Sequence, residues 1–121
     1  MIFSPDLAEK VLAGTKVVTR RRLTHRDGRP LQYRAGGIYA IQPGRGKRHI
    51  GHVRIIAVDL ERLALVLTAI ELIREGFSSA GAFARYWTEL HGGFDGDEVV
   101  ARIWINAAPR CGDCWKGERD G

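Results

Sequence analysis

Three stretches of this chain alternate apolar and polar residues with period two, and short strands of that kind constrain its fold more than any other feature. Val53, Ile55 and Ala57 share one face of the first, and Leu63, Leu65 and Leu67 one face of the second. Val99, Ala101, Ile103 and Ile105 share a face of the last, between Val100, Arg102 and Trp104. Asp59 to Glu61 is expected to turn the chain between the first two runs. Residues 17–22 and 38–42 read as two further strands, the second preceded by Gly36-Gly37 and broken by the basic turn Pro43-Gly44-Arg45-Gly46-Lys47-Arg48.

Helices are few and well punctuated. Ser4 is placed to cap, Pro5 suits the first helical position, and Asp6 favours the positive end of the dipole. Leu7, Ala8, Val11 and Leu12 fall on one face before Gly14 stops that helix. Thr68-Ala69-Ile70-Glu71 matches a capping box, so a short helix is expected to run from there to about Gly76. Another spans Ala80 to His91, with Phe83, Tyr86 or Trp87, and Leu90 at helical spacing. The order is helix, four or five strands, two helices, strand. It predicts an α+β fold: a small, closed or nearly closed β-barrel of about five or six strands with two or three helices at its rim.

The 121 residues, 45% hydrophobic and 27% charged, suit one domain with its own core. No apolar run reaches membrane-spanning length, and Met1-Ile2-Phe3-Ser4-Pro5 lacks the features of a secretory signal, so the expectation is a cytoplasmic protein without a membrane partner. Charge is segregated. Residues 1–54 hold 12 Lys/Arg against three acids, a net of +9, while residues 55–121 hold seven against 11, a net of −4. A polyanion-facing side built by the first half fits that asymmetry, and so does a merely solvated basic surface.

Chemistry concentrates in Gly14-Thr15-Lys16-Val17-Val18-Thr19-Arg20-Arg21. A lysine, a hydroxyl and arginines lie within a few residues of a glycine turn, between a helix and a strand. Lysine is a phosphate ligand or, with a lowered pKa, a base; beside such a base a threonine can attack a carbonyl. Positions three apart in a flat strand face opposite ways, so to work with Thr19, Lys16 must sit in the turn ahead of the strand or the strand must bulge.

The stretch resembles the G-x-K-x-x-T-x-R signature of the ASCH domain family, relatives of the PUA RNA-binding fold. The resemblance continues through Tyr39-Ala40-Ile41-Gln42-Pro43-Gly44-Arg45-Gly46-Lys47, through Glu75-Gly76-Phe77 with the helix carrying Phe83 and Trp87, and to Ile103-Trp104-Ile105. It covers residues 1–107 and leaves 108–121 as a polar tail. Many members carry an acid where this chain has Gly37. The resemblance implies a PUA-like barrel with a cleft between helices and barrel that recognises RNA or a modified nucleoside. For some small bacterial members it implies deacylation of N4-acetylcytidine by a lysine, a threonine and a glutamate, which correspond here to Lys16, Thr19 and Glu75. Arg21 corresponds to the motif arginine.

Read by themselves, the residues keep alternatives open. Lys16 is otherwise an exposed lysine and Thr19 a plain strand former. Glu75 sits at a helix C-terminus, against the dipole, which marks it as a site candidate. Arg20 and Arg21 on the strand, Arg45, Lys47 and Arg48 on the turn, and Phe77 after Gly76 are the candidate contacts to substrate or RNA. Three readings follow: recognition of RNA or a modified nucleoside, an N4-acylcytidine amidohydrolase, and a ribonuclease. No cofactor is expected. His49 and His52 are three apart in a strand, poor ligand geometry, and Cys111-Gly112-Asp113-Cys114 supplies two thiolates where structural zinc takes four ligands. No metal is assigned; the cysteines are read as ordinary thiols, with a bridging zinc or a reversible disulfide as alternatives.

Overall fold

The computed structural model describes residues 1–24 and 28–108; Cys111 and Cys114 lie outside the described residues. Helix α1 (Pro5–Ala13) forms as its ends predict. The Ser4 hydroxyl accepts from Leu7 N at 3.4 Å, and Gly14 closes the helix in the left-handed region at φ 81°. Leu7, Ala8 and Val11 are buried.

Four strands, β1 (Val18–Arg22), β2 (Ile38–Ile41), β3 (Gly51–Arg62) and β4 (Val99–Ala107), form one antiparallel sheet in the order β1-β4-β3-β2. Residues 1–3 extend it beside the end of β2: Phe3 N donates to Gln42 O and Gln42 N to Met1 O, each at 2.9 Å. The register puts Thr19 opposite Ile103 and Arg21 opposite Ala101 on one face, and Val18 opposite Trp104 and Arg20 opposite Arg102 on the other. Period two then divides the core. Ala101, Ile103 and Ile105 pack with Phe3, Leu7, Ala8 and Val11 under α1. On the opposite face Val100 packs with Leu63, Val66, Leu72, Phe83 and Trp87.

Three expectations change. Asp59 to Glu61 does not turn: β3 runs through it, paired to β4 as far as Arg62 opposite Val99, with a bulge between Ile55 and Ala57. Asp59 and Glu61 face the sheet arginines, and those ion pairs stabilise the extended chain: Asp59 accepts from Arg102 at 2.9 and 2.7 Å, and Glu61 from Arg20 at 2.7 Å. Leu63–Leu67 is a 3-10 helix, so the described sheet holds four strands. Leu63 and Val66, three apart, are its buried residues, while Leu65 and Leu67 are exposed. Finally, α2 (Ala69–Glu75) starts after Thr68 without the capping box, because Thr68 makes no side-chain cap and Glu71 bonds to arginines instead. Helix α3 (Ala80–His91) buries Phe83 and Trp87 and leaves Leu90 exposed. Among the described residues no helix is long and apolar enough to cross a membrane. The class is α+β, a curled sheet with helices at its rim.

Candidate active site

Past Gly14 the chain turns on the last carbonyls of α1. Thr15 N and Lys16 N both donate to Lys10 O, at 3.0 and 3.1 Å, and Val17 N donates to Arg74 O at 2.8 Å. Lys16 is thereby placed ahead of β1, as cooperation with Thr19 requires, at the edge where α2 docks. Its side chain is buried, and Nζ donates to Val18 O, Glu75 O and Glu75 Oε1, each at 2.8 Å. Three acceptors match the three hydrogens of an ammonium. Burial pushes the Lys16 amine below its ordinary 10.5; Glu75 opposes this by attraction and hydrogen bond, and Arg21 and Arg20 push it down further, so the net direction is down.

Glu75 closes α2, and Gly76 caps it at φ 89°. A Cβ on Gly76 would stand 3.3 Å from Lys10 Cδ and 3.5 Å from Lys16 Cβ. Lys10 Nζ donates to Gly76 O at 2.8 Å, so two lysines serve the carbonyl end of α2, where the dipole favours cations. The carboxylate set against that dipole is compensated by Lys16 on Oε1 and by Arg20, whose Nη1 lies 3.1 Å from Oε2.

Arg20 does not face a ligand. It is 4% exposed, and its guanidinium binds three carboxylates: Nε to Glu61, Nη2 to Glu71, Nη1 to Glu75. This corrects its expected role at an RNA surface; the α2 side of β1 is roofed by Glu71 and Glu75, and both draw it inward. Glu71 also accepts from Arg74, and Arg102 reaches Asp59, Glu61 and Glu71. Sequence reading missed Glu61 and Glu71. Their signals were present: Glu71 is one helical turn before Glu75, and Asp59 and Glu61 share a strand face.

Thr19 lies on the other face of β1 with Arg21, and its side chain makes no hydrogen bond among the described residues; Lys16 is not bonded to it. Arg21 is half-buried, donates to Ile2 O at 2.8 Å and stacks 5.1 Å from the centre of the Phe3 ring. Beside this group opens a cavity of about 320 Å³ lined by Ser4, Asp6, Lys10, Phe77, Ser78 and Tyr86, among others. Gly76-Phe77 forms its wall, so Lys16, Thr19 and Glu75 stand behind the lining rather than in it. Tyr86 was read from sequence only as helix core. Burial raises its phenol pKa, Arg21 opposes and Glu75 adds, which keeps it a neutral donor. Phe77 packs edge-on to Phe83 at 5.2 Å and presents a ring to the cavity. Arg45, Lys47 and Arg48 are exposed on the turn after β2, beside residues 1–3 and apart from the cavity lining. Gly37 lies under Tyr39, whose ring a Cβ would meet at 2.7 Å, a steric reason for glycine there. Among the described residues no group of three or more His, Cys, Asp or Glu is placed to hold a metal ion.

This arrangement of a curled sheet with helices at its rim is similar to the fold of solved ASCH domain proteins. A protein of Enterococcus faecalis V583 from the DUF984 family is similar over 87% of this chain and 71% of its own, at 19% identity and TM-score 0.69. The ASCH domain of Lactobacillus crispatus JV V101 is similar over 84% and 69%, at 17% identity and TM-score 0.60. The ASCH protein of Zymomonas mobilis is similar over 97% and 75%, at 21% identity and TM-score 0.61. At such identities the likeness is one of fold. No family model matches the sequence, and no curated protein matches it.

Proposed function

We propose that this protein recognises a modified nucleoside, free or within RNA, in the cavity between α1 and the Gly76–Tyr86 segment. The cavity itself carries the reading. Phe77 and Tyr86 offer rings for a base; Ser4, Ser78 and the Asp6–Lys10 pair offer donors and acceptors for a sugar. Its volume of about 320 Å³ sits at the small-ligand end of the usual range. Calorimetric titration with N4-acetylcytidine and cytidine tests it. Saturable binding weakened in Phe77→Ala supports the reading, and no binding of either nucleoside contradicts it.

A second reading, deacylation of the N4-acyl group, is favoured by the buried Lys16–Glu75 pair ahead of the strand that carries the Thr19 hydroxyl. The reading requires the Gly76–Phe77 wall to part so that the acyl group reaches Thr19, and Lys16 to give up one of its three acceptors. A neutral amine keeps two of them and has a lone pair free for the Thr19 proton. Thr19 Oγ attacks the acyl carbonyl carbon and its proton passes to Lys16. That proton moves along the 2.8 Å bond to Glu75 and on to the departing N4 as the C–N bond breaks. Water then attacks the acyl-threonine, releasing the acid and restoring the hydroxyl. Arg21 supplies positive charge for the oxyanion. Chromatography of cytidine release distinguishes the two readings: binding without turnover leaves recognition alone.

A further inference from the structure

We infer that Arg20 is the positioning residue of this site: its guanidinium holds one oxygen of Glu75 so that the other is presented to Lys16, and in doing so it sets the protonation of the lysine. The inference deepens the proposed function by naming what tunes the site.

The geometry is that of a three-way clamp. One guanidinium on β1 spans Glu61 of β3 and Glu71 and Glu75 of α2, with three of its nitrogens each assigned to a different carboxylate. A planar fork with fixed donor directions fixes Glu75 in a way a lysine in the same place does not. Glu75 Oε2 goes to Arg20 and Oε1 to Lys16. One carboxylate is thus shared by two cations, and neither has its full charge. Arg20 is fixed in turn by Glu61 and Glu71, which Arg102 and Arg74 reach from outside.

The charged groups acting on Lys16 are Arg20 and Arg21 on β1 and Glu75 on α2; Tyr86 on α3 faces Arg21 and Glu75, and Lys10 of α1 binds the neighbouring Gly76 carbonyl. Removing the Arg20 charge has one sign throughout. A like charge disappears, Glu75 serves Lys16 alone, and Glu61 and Glu71 lose a cation; each change favours the ammonium.

The test uses the free protein and needs no substrate. The chain has four lysines, so carbon-13 labelling of lysine Cε gives few signals, and single Lys→Arg changes at Lys10, Lys47 and Lys116 identify that of Lys16. Its titration midpoint is expected to rise by about one pH unit in Arg20→Gln, and less in Arg20→Lys. An unchanged or lowered midpoint in the folded variant overturns the inference, because a purely structural arginine would alter stability and leave the titration alone. Where Arg20→Gln does not fold, Arg20→Gln/Glu71→Gln removes one charge of each sign, and a smaller rise is expected, because the lost Glu71 carboxylate partly offsets it. If the wild type turns over nucleoside, the pH–rate limb moves to higher pH with little change in KM; absence of turnover or of nucleoside binding counts against the proposed function, not against the midpoint result.

Discussion

Lys16 and Glu75 are 59 residues apart in sequence, and their charged ends meet at 2.8 Å with side chains 1% and 3% exposed. Truncating one member of such a pair leaves the other buried without its counter-charge. Lys16→Ala is expected to cost about 3–5 kcal/mol in denaturant unfolding, and Lys16→Met/Glu75→Gln to recover much of that loss. A double variant no more stable than Lys16→Ala would mean that the two side chains are not coupled.

Thr19 gives a cleaner probe of chemistry than Lys16. Its hydroxyl has no partner among the described residues, so Thr19→Val should change unfolding free energy by no more than about 1 kcal/mol. If the deacylation reading holds, the same change lowers N4-acetylcytidine turnover by at least about 10³-fold. Retained turnover would remove Thr19 as nucleophile.

Acid should unfold the protein through the clamp. Burial alone would raise the Glu71 carboxyl, but hydrogen bonds from Arg20 and Arg74 outweigh it and hold it below its usual 4.5. The Arg102 hydrogen bond likewise holds Asp59 below 3.8. Below those values the unfolded chain takes up protons that the folded one refuses, so this stability is present above about pH 4.5 and lost as pH falls through the folded values. Lys16 acts at the other end: its lowered folded value makes stability rise as pH climbs toward 10.5. Unfolding midpoints against pH should show both slopes, and Glu71→Gln should flatten the acid one.

Gly76 is constrained twice, by φ 89° and by the Lys10 and Lys16 side chains that a Cβ would approach. Gly76→Ala is expected to cost about 1–2 kcal/mol and to weaken nucleoside binding, since the wall of the cavity begins there. Calorimetric unfolding and ligand titration of the one variant measure both.

The turn of Arg45, Lys47 and Arg48 separates a free nucleoside from one held in RNA. If RNA is bound, neutralising all three to Gln should weaken it and make the slope of log affinity against log salt shallower by about two. Binding of the isolated nucleoside should be unchanged.

Local signals carried much of this fold. Ser4, Pro5 and Gly14 delimit α1 because caps act within a turn, and the alternation of Val99 to Ile105 delivers β4. The Leu63, Leu65 and Leu67 alternation misled because Leu63 and Val66 also fit a period of three, and packing against Val100, Phe83 and Trp87 decided between the two. Glu71 looked like half of a capping box; Arg20, 51 residues away, took it instead. The motif spacing brought out Lys16 and Thr19, and the family resemblance with the helix dipole brought out Glu75, yet the clamp on Arg20 depends on which strand faces meet, and Tyr86 on how α3 lies over the Gly76–Phe77 segment. Neither is a property of nearby sequence.

The most direct measurement is an amide and aromatic NMR titration of the protein with N4-acetylcytidine. Saturable shifts centred on Phe77, Ser78 and Tyr86 are predicted, reaching Lys16 and Thr19 through the cavity wall. No saturable shift, or shifts confined to Arg45–Arg48, would contradict nucleoside recognition in this cavity.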